Sequence, residues 1–114
     1  MSKNKEFSIT SATRYSLALF ELADESELIN KVEKNSLAFL GLIKNNLEFN
    51  NFIKDPTIGK DILLNVVHKI CESSNLETLF KNFLSFLVIK RRFFFVEKIL
   101  KSFNEICSEK RGEL

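Results

Sequence analysis

Tryptophan is absent from this chain, proline occurs once, and glycine only three times in 114 residues. With so few breakers the backbone has little reason to turn often, which disfavours a set of short strands and favours long helices. Histidine is single, at His68, and cysteine occurs twice, at Cys71 and Cys107. These offer neither close-set metal-ligand spacing nor the density of a secreted disulfide scaffold, so the thiols read as reduced, in a cytosol-like compartment. Gly41, Gly59 and Gly112 stand apart from one another and form no phosphate-cradling loop. A net charge of +2 is too small for the electrostatic footprint of a dedicated nucleic-acid binder. The opening MSKNKEFSITS lacks the apolar run of a signal peptide, and Glu6 with few arginines argues against an organellar presequence. No apolar run approaches the roughly 18 residues of a membrane span, since FLSFLVI stops at Lys90. Direct membrane insertion is therefore not expected.

The parts for catalysis are equally scarce. His68 reads as a surface or satisfied core residue, because a lone imidazole with no paired acid or ligand is an ordinary structural side chain. Asp24, Glu25 and Glu27 read as a solvated cluster at a helix end. No enzyme activity, metal or cofactor is expected.

What the chain does have is phenylalanine, 12 in all, which predicts a heavily aromatic interior. Ile9 to Glu25, ITSATRYSLALFELADE, reads as a helix starting near Ser8 or Thr10, either of which can cap it. On its wheel Ile9, Ala12, Ser16, Leu19, Phe20 and Ala23 fall within roughly 100° and form a core face. Ser11, Tyr15, Ala18 and Leu22 form a second, uncharged strip at about 180° to 240°. Thr10, Arg14, Glu21 and Asp24 take the remaining arc. The helix has more apolar surface than one core can use.

Ser26 is placed to cap a second helix with Glu27 in its first turn, running to about Asn46 over Leu28, Ile29, Val32, Leu37, Phe39, Leu40, Leu42 and Ile43. LEFNNFI predicts a short third helix that turns Leu47, Phe49, Phe52 and Ile53 inward, stopped by Asp55-Pro56. Thr57 then caps a fourth, Ile58 to Glu72, with Ile62, Leu63, Val66, Val67 and Ile70 on one stripe. Ser74 with Glu77 has the form of a capping box opening a fifth helix, Leu76 to about Arg91. A sixth, Phe93 to Glu109, carries Phe94, Val96, Ile99, Leu100, Phe103, Ile106 and Cys107 and frays through Lys110, Arg111 and Gly112. Short connections make neighbours antiparallel, so the expected fold is all-α, a single compact antiparallel bundle of six helices, five long and one short.

The fifth helix repeats the surplus of the first. Leu79, Phe80, Phe83, Leu84, Phe86, Leu87, Val88 and Ile89 cover well over half its circumference. Two such helices can be the walls of one groove, or the fifth can be central and buried on most sides. Lys90-Arg91-Arg92-Phe93-Phe94-Phe95 interleaves cations with aromatics, a pattern that binds single-stranded nucleic acid in some proteins. Here the aromatics follow the charges and continue into Val96 and Ile99, which reads as cations on a helix C-terminus followed by a turn into the core. An all-helical RNA-binding or transcription-factor module using Lys90, Arg91 and Arg92 is the alternative function.

SATRYSLALFELADE resembles the opening helix of the delta subunit of bacterial F-type ATP synthases, called the oligomycin-sensitivity-conferring subunit in mitochondria. NNFIKDPTIGKDILL resembles that family's Asn-Pro-x-Ile segment, and FLSFLVIKRRFFFVEKILKSFNEI its fifth and sixth helices. The blocks occur in the family's order. Two departures leave the fold intact: Ser16 where many relatives have Ala, and Arg91-Arg92 near a turn that often holds Gly or Asn.

The resemblance implies an N-terminal helical-bundle domain over residues 1–112. The smaller C-terminal domain that engages the peripheral stalk, and through it the b subunit, is expected to be absent from a chain ending at Leu114. It further implies a non-catalytic stator subunit of the proton-translocating enzyme, at the cytoplasmic face of the bacterial inner membrane. Its first and fifth helices would hold the N-terminal helix of an alpha subunit of the catalytic head. Carried over by position, the groove is lined by Ser11, Tyr15, Ala18 and Leu22 on one wall and Leu79, Asn82, Phe83, Phe86 and Ile89 on the other.

Overall fold

The computed structural model describes the backbone of residues 2–112 and the side chains of residues 11–112. Among these residues the fold is all-α: α1 (Ser2–Glu25), α2 (Ile29–Asn45), α3 (Leu47–Ile53), α4 (Lys60–Ser73), α5 (Thr78–Ile89) and α6 (Val96–Lys110), with a 3-10 turn at Phe93–Phe95 before α6. α1 begins at Ser2, ahead of the expected Ser8 or Thr10, because no Gly or Pro interrupts the preceding residues. The side chains of Ser8, Ile9 and Thr10 lie outside the described residues.

α1 packs chiefly along α6, α2 crosses α6, and α4 pairs with α5. The core face expected of α1 is buried from Ala12 through Ser16, Leu19, Phe20 and Ala23. Its small residues bring the α6 backbone close: the Ser16 hydroxyl lies 2.6 Å from the Ala12 carbonyl oxygen and 2.8 Å from that of Ile99. One hydroxyl proton serves both acceptors. At the centre of the bundle Phe39 meets Phe49, Phe80 and Phe93 edge to face, with ring centroids 5.8, 6.1 and 6.2 Å away. The aromatic interior read from composition is thus one cluster that joins α2, α3, α5 and the 3-10 turn.

The turns differ from expectation in a consistent way. α1, α4 and α5 each end with a residue in the left-handed region, Glu27 (φ 57°), Asn75 (φ 57°) and Arg91 (φ 59°). Behind them Leu28, Leu76 and Arg92 donate their backbone N–H to Ala23, Cys71 and Leu87. This is the Schellman closure, in which carbonyls left over at a helix end are satisfied by the chain that follows. Ser26 and Ser74 are therefore drawn into the ends of the preceding helices and cap nothing downstream. α2 begins at Ile29 with no side-chain cap. In place of a Ser74–Glu77 box, Asn35 of α2 accepts the Glu77 N–H at 2.8 Å, and α5 starts at Thr78.

Thr57 likewise does not cap α4, which starts at Lys60 behind Gly59. It donates its N–H (2.9 Å) and hydroxyl (2.6 Å) to the Asp55 carboxylate, an Asx turn that forms the bend around Pro56. Those two bonds hold the Asp55 carboxyl below its ordinary value. α3 has a cap that sequence reading missed, Asn46, whose side chain accepts the Phe49 N–H at 3.0 Å.

Four residues expected in the core face water instead, among them Leu37, 55% exposed because it lies about 140° round α2 from Val32. Leu47 is 71% exposed at the first position of α3, where Phe49 and Ile53 take the inward stripe. Ile62 is 56% exposed, because it lies about 140° round α4 from Val67. Phe94 is 53% exposed, because Phe93–Phe95 is a 3-10 turn in which residues three apart eclipse; Phe93 and Val96 point inward together and Phe94 points out. At the other end of α6, Arg111 is tied down by a fork of bonds to Glu33 of α2 at 2.5 and 3.2 Å. Glu113 and Leu114 lie outside the described residues.

Candidate functional site

α1 and α5 meet through Tyr15 and Phe86, whose ring centroids are 6.1 Å apart with planes inclined by 59°. Tyr15 is half-buried. Phe86 keeps 44% of its surface in water, so the contact does not seal this side of the bundle. The second strip of α1 continues from Tyr15 through Ala18 and Leu22, both exposed, and back to the half-buried Ser11. On α5, Asn82, Phe86 and Ile89 follow at helical spacing on one outward stripe, and Ile89 is 53% exposed. Leu79 and Phe83 lie further round, toward the core. Leu79 is half-buried and Phe83 only 5% exposed. Phe83 is thus a core residue that can offer a visitor little more than a floor.

The resulting face is apolar and small-sided on α1, aromatic and aliphatic on α5. Arg14 and Glu21 stand exposed beside it on α1. At the end of α5, Lys90 Nζ sits 5.7 Å from the centroid of the Phe86 ring, a cation–π contact at the rim. The large exposed side chains of this face are hydrocarbon: Leu22, Phe86 and Ile89.

Other reactive groups are held elsewhere by structure. His68 Nε2 lies 2.9 Å from the Ser85 hydroxyl, which itself donates to the Lys81 carbonyl at 2.9 Å. The His68–Ser85 hydrogen bond pins α4 to α5. Cys71 and Cys107 are free and buried, and burial pushes both thiols up to about 11. Among the described residues no group of three or more His, Cys, Asp or Glu side chains could hold a metal ion. The Lys90-Arg91-Arg92 run is a turn, with Arg91 in the left-handed position.

Sequence reading also missed an open cavity of about 460 Å³ at the far end of α5, where Arg91 and Phe94 meet the 54–60 segment. No single stretch of sequence could reveal it, because its wall is built by the Asx turn and its floor by three other elements.

The family model for the ATP synthase delta (OSCP) subunit matches residues 12–114. The ATP synthase subunit delta of Pelagibacter ubique (strain HTCC1062) is 56% identical over 114 residues, covering all of this chain and 62% of that protein. The subunit delta of Chelativorans sp. (strain BNC1) is 31% identical over 102 residues, 90% of this chain and 55% of its own length. That of Dinoroseobacter shibae (strain DSM 16493 / NCIMB 14021 / DFL 12) is 28% identical over 114 residues, all of this chain and 61% of its own length. The chain thus spans less than two thirds of the curated relatives it matches.

Proposed function

The chain belongs to the ATP synthase delta (OSCP) subunit family, and we propose that it acts as the N-terminal helical-bundle part of a non-catalytic stator subunit in a proton-translocating F-type ATP synthase. Its task is to hold the catalytic head against rotor torque by binding the N-terminal helix of an alpha subunit between α1 and α5. Contact with the peripheral-stalk b subunit belongs to a C-terminal domain, and the complex sits at the cytoplasmic face of the bacterial inner membrane. No described helix is long and apolar enough to cross a membrane, which accords with a peripheral position.

The observation that carries this reading is the Tyr15–Phe86 seam with Phe86, Ile89 and Leu22 each about half exposed beside it. An amphipathic helix laid along such a seam buries its apolar face on both walls. Ala18 lets the visiting backbone approach, and Tyr15 and Phe86 supply area. If docking removes about 500 Å² of apolar surface, the hydrophobic gain is roughly 12 kcal/mol. Lost translational and side-chain freedom offsets much of it, leaving micromolar to nanomolar binding.

The test is a titration of the isotope-labelled chain with a synthetic peptide of the alpha subunit's N-terminal helix, followed by NMR. Shifts centred on Tyr15, Ala18, Phe86 and Ile89 are the expected result. Shifts confined to other faces, or none at all, would reject the assignment.

A further inference from the structure

The cationic aromatic run that opens into α6 has no part in the α1–α5 face beyond Lys90. Arg91, Phe93 and Phe94 instead line the cavity of about 460 Å³ together with Ile53, Lys54, the 55–60 segment, Leu63 and Val88. Its floor is carbon: Ile53, Val88 and Phe93 are each at most 6% exposed. Its rim carries Lys54, Lys60 and Arg91, all exposed, and among the described residues none of the three is in an ion pair. The one carboxylate in the lining, Asp55, accepts the Thr57 N–H and hydroxyl and keeps its charge, so the rim sets three cations against one anion. Phe94 stands 53% exposed at the edge, its ring set against Phe95 at 5.4 Å.

We propose that this cavity is a second docking site, for a short acidic protein segment that inserts one aromatic or aliphatic side chain and places its carboxylates on Lys54, Lys60 and Arg91. The charge complement selects the occupant. The three rim cations attract carboxylates over the Debye length, and the recess rewards a side chain that leaves water. A flat bilayer cannot fill a concave bowl, and a nucleic-acid strand calls for a longer cationic track than three residues around one hollow. The site is independent of the α1–α5 assignment, since the two share no lining residue.

The probe is the labelled hexapeptide Asp-Phe-Asp-Leu-Asp-Phe, titrated into the full chain with fluorescence anisotropy and NMR readouts. Binding is expected in the range of about 10 to 500 µM at low salt, weakening severalfold as exposed charges are screened. NMR shifts are expected at Lys54, Leu63, Val88, Arg91 and Phe94. The double variant Lys54→Gln/Lys60→Gln, at exposed positions that leave the fold unchanged by circular dichroism, is expected to weaken binding about fivefold or more. Phe94→Ser is expected to weaken it independently.

Several results overturn the proposal. They are no binding at about 1 mM peptide, shifts centred on Tyr15 and Phe86, or equal binding of the side-chain-free control Asp-Ser-Asp-Ser-Asp-Ser. Binding of phosphatidylglycerol vesicles or a thymidine 20-mer that needs Lys54 and Lys60, without peptide binding, overturns it in favour of a lipid or nucleic-acid surface.

Discussion

Tyr15 on α1 and Phe86 on α5 touch ring to ring at 6.1 Å, and the phenylalanine of the pair remains 44% exposed. Its neighbour one turn back, Phe83, is 5% exposed. The same side-chain type therefore has two separate physical roles within four residues of one helix. Phe83→Ala is expected to cost about 3–5 kcal/mol in urea unfolding, because it leaves a cavity in a packed core. Phe86→Ala is expected to cost under about 1.5 kcal/mol, since nearly half of its surface stays in water until a partner covers it. Equal destabilisation by the two would mean that Phe86 is a core residue like any other.

Ser16 predicts the tolerance of the α1–α6 contact. Its hydroxyl adds bonds to two helix carbonyls, those of Ala12 and Ile99, so losing it strands no buried donor. Ser16→Ala is expected to change stability by less than about 1 kcal/mol. Ser16→Val, which adds methyl groups where the residue is fully buried, is expected to cost about 1–3 kcal/mol. Thermal unfolding followed by circular dichroism separates the two.

How far the sequence disclosed this molecule depends on which interactions are local. The 3.6-residue period was enough for the six helices, for the core face of α1 through Ala12, Ser16, Leu19, Phe20 and Ala23, and for the outward strip with Tyr15 and Ala18. Caps were the weak point. Ser26, Ser74 and Thr57 each satisfied a local rule, yet the Schellman closures at Glu27 and Asn75 claimed the first two and Asp55 claimed Thr57. Asn35, which receives the Glu77 N–H, comes from 42 residues away, a distance no window can span. The 3-10 turn at Phe93–Phe95 changed the period locally and sent Phe94 outward, and that shift helped to build a cavity invisible in the sequence.

Arg91 holds a left-handed conformation at φ 59° that costs a side-chain-bearing residue about 1–2 kcal/mol. Arg91→Gly removes that strain but gives the unfolded chain more freedom, which offsets part of the gain. A net stabilisation of about 0.5–1 kcal/mol is expected, read as a rise in Tm of a few degrees. A fall in Tm would mean that the guanidinium contributes more to the fold than its backbone costs.

The two thiols supply a pH dependence. Burial raises Cys71 and Cys107 from 9.0 to about 11, so the folded chain keeps protons that the unfolded chain gives up. Stability from this source is complete below the unfolded value and is lost as pH rises toward the folded one. Unfolding free energy is thus expected to decline between about pH 9 and 11, less so in a Cys71→Ala/Cys107→Ala variant. At pH 8 a thiol reagent is expected to modify neither cysteine in the native chain and both in urea. Prompt modification without denaturant would contradict the burial.

The alpha-subunit assignment stands or falls on the exposed small residue beside the Tyr15–Phe86 pair. Calorimetric titration of an alpha-subunit N-terminal peptide into the native chain and into Ala18→Asp tests it most directly, because a carboxylate there enters the seam without touching the core. The expected result is an unchanged helical spectrum with affinity reduced at least about tenfold, or 1.4 kcal/mol. Undiminished binding by the variant would contradict the groove between α1 and α5.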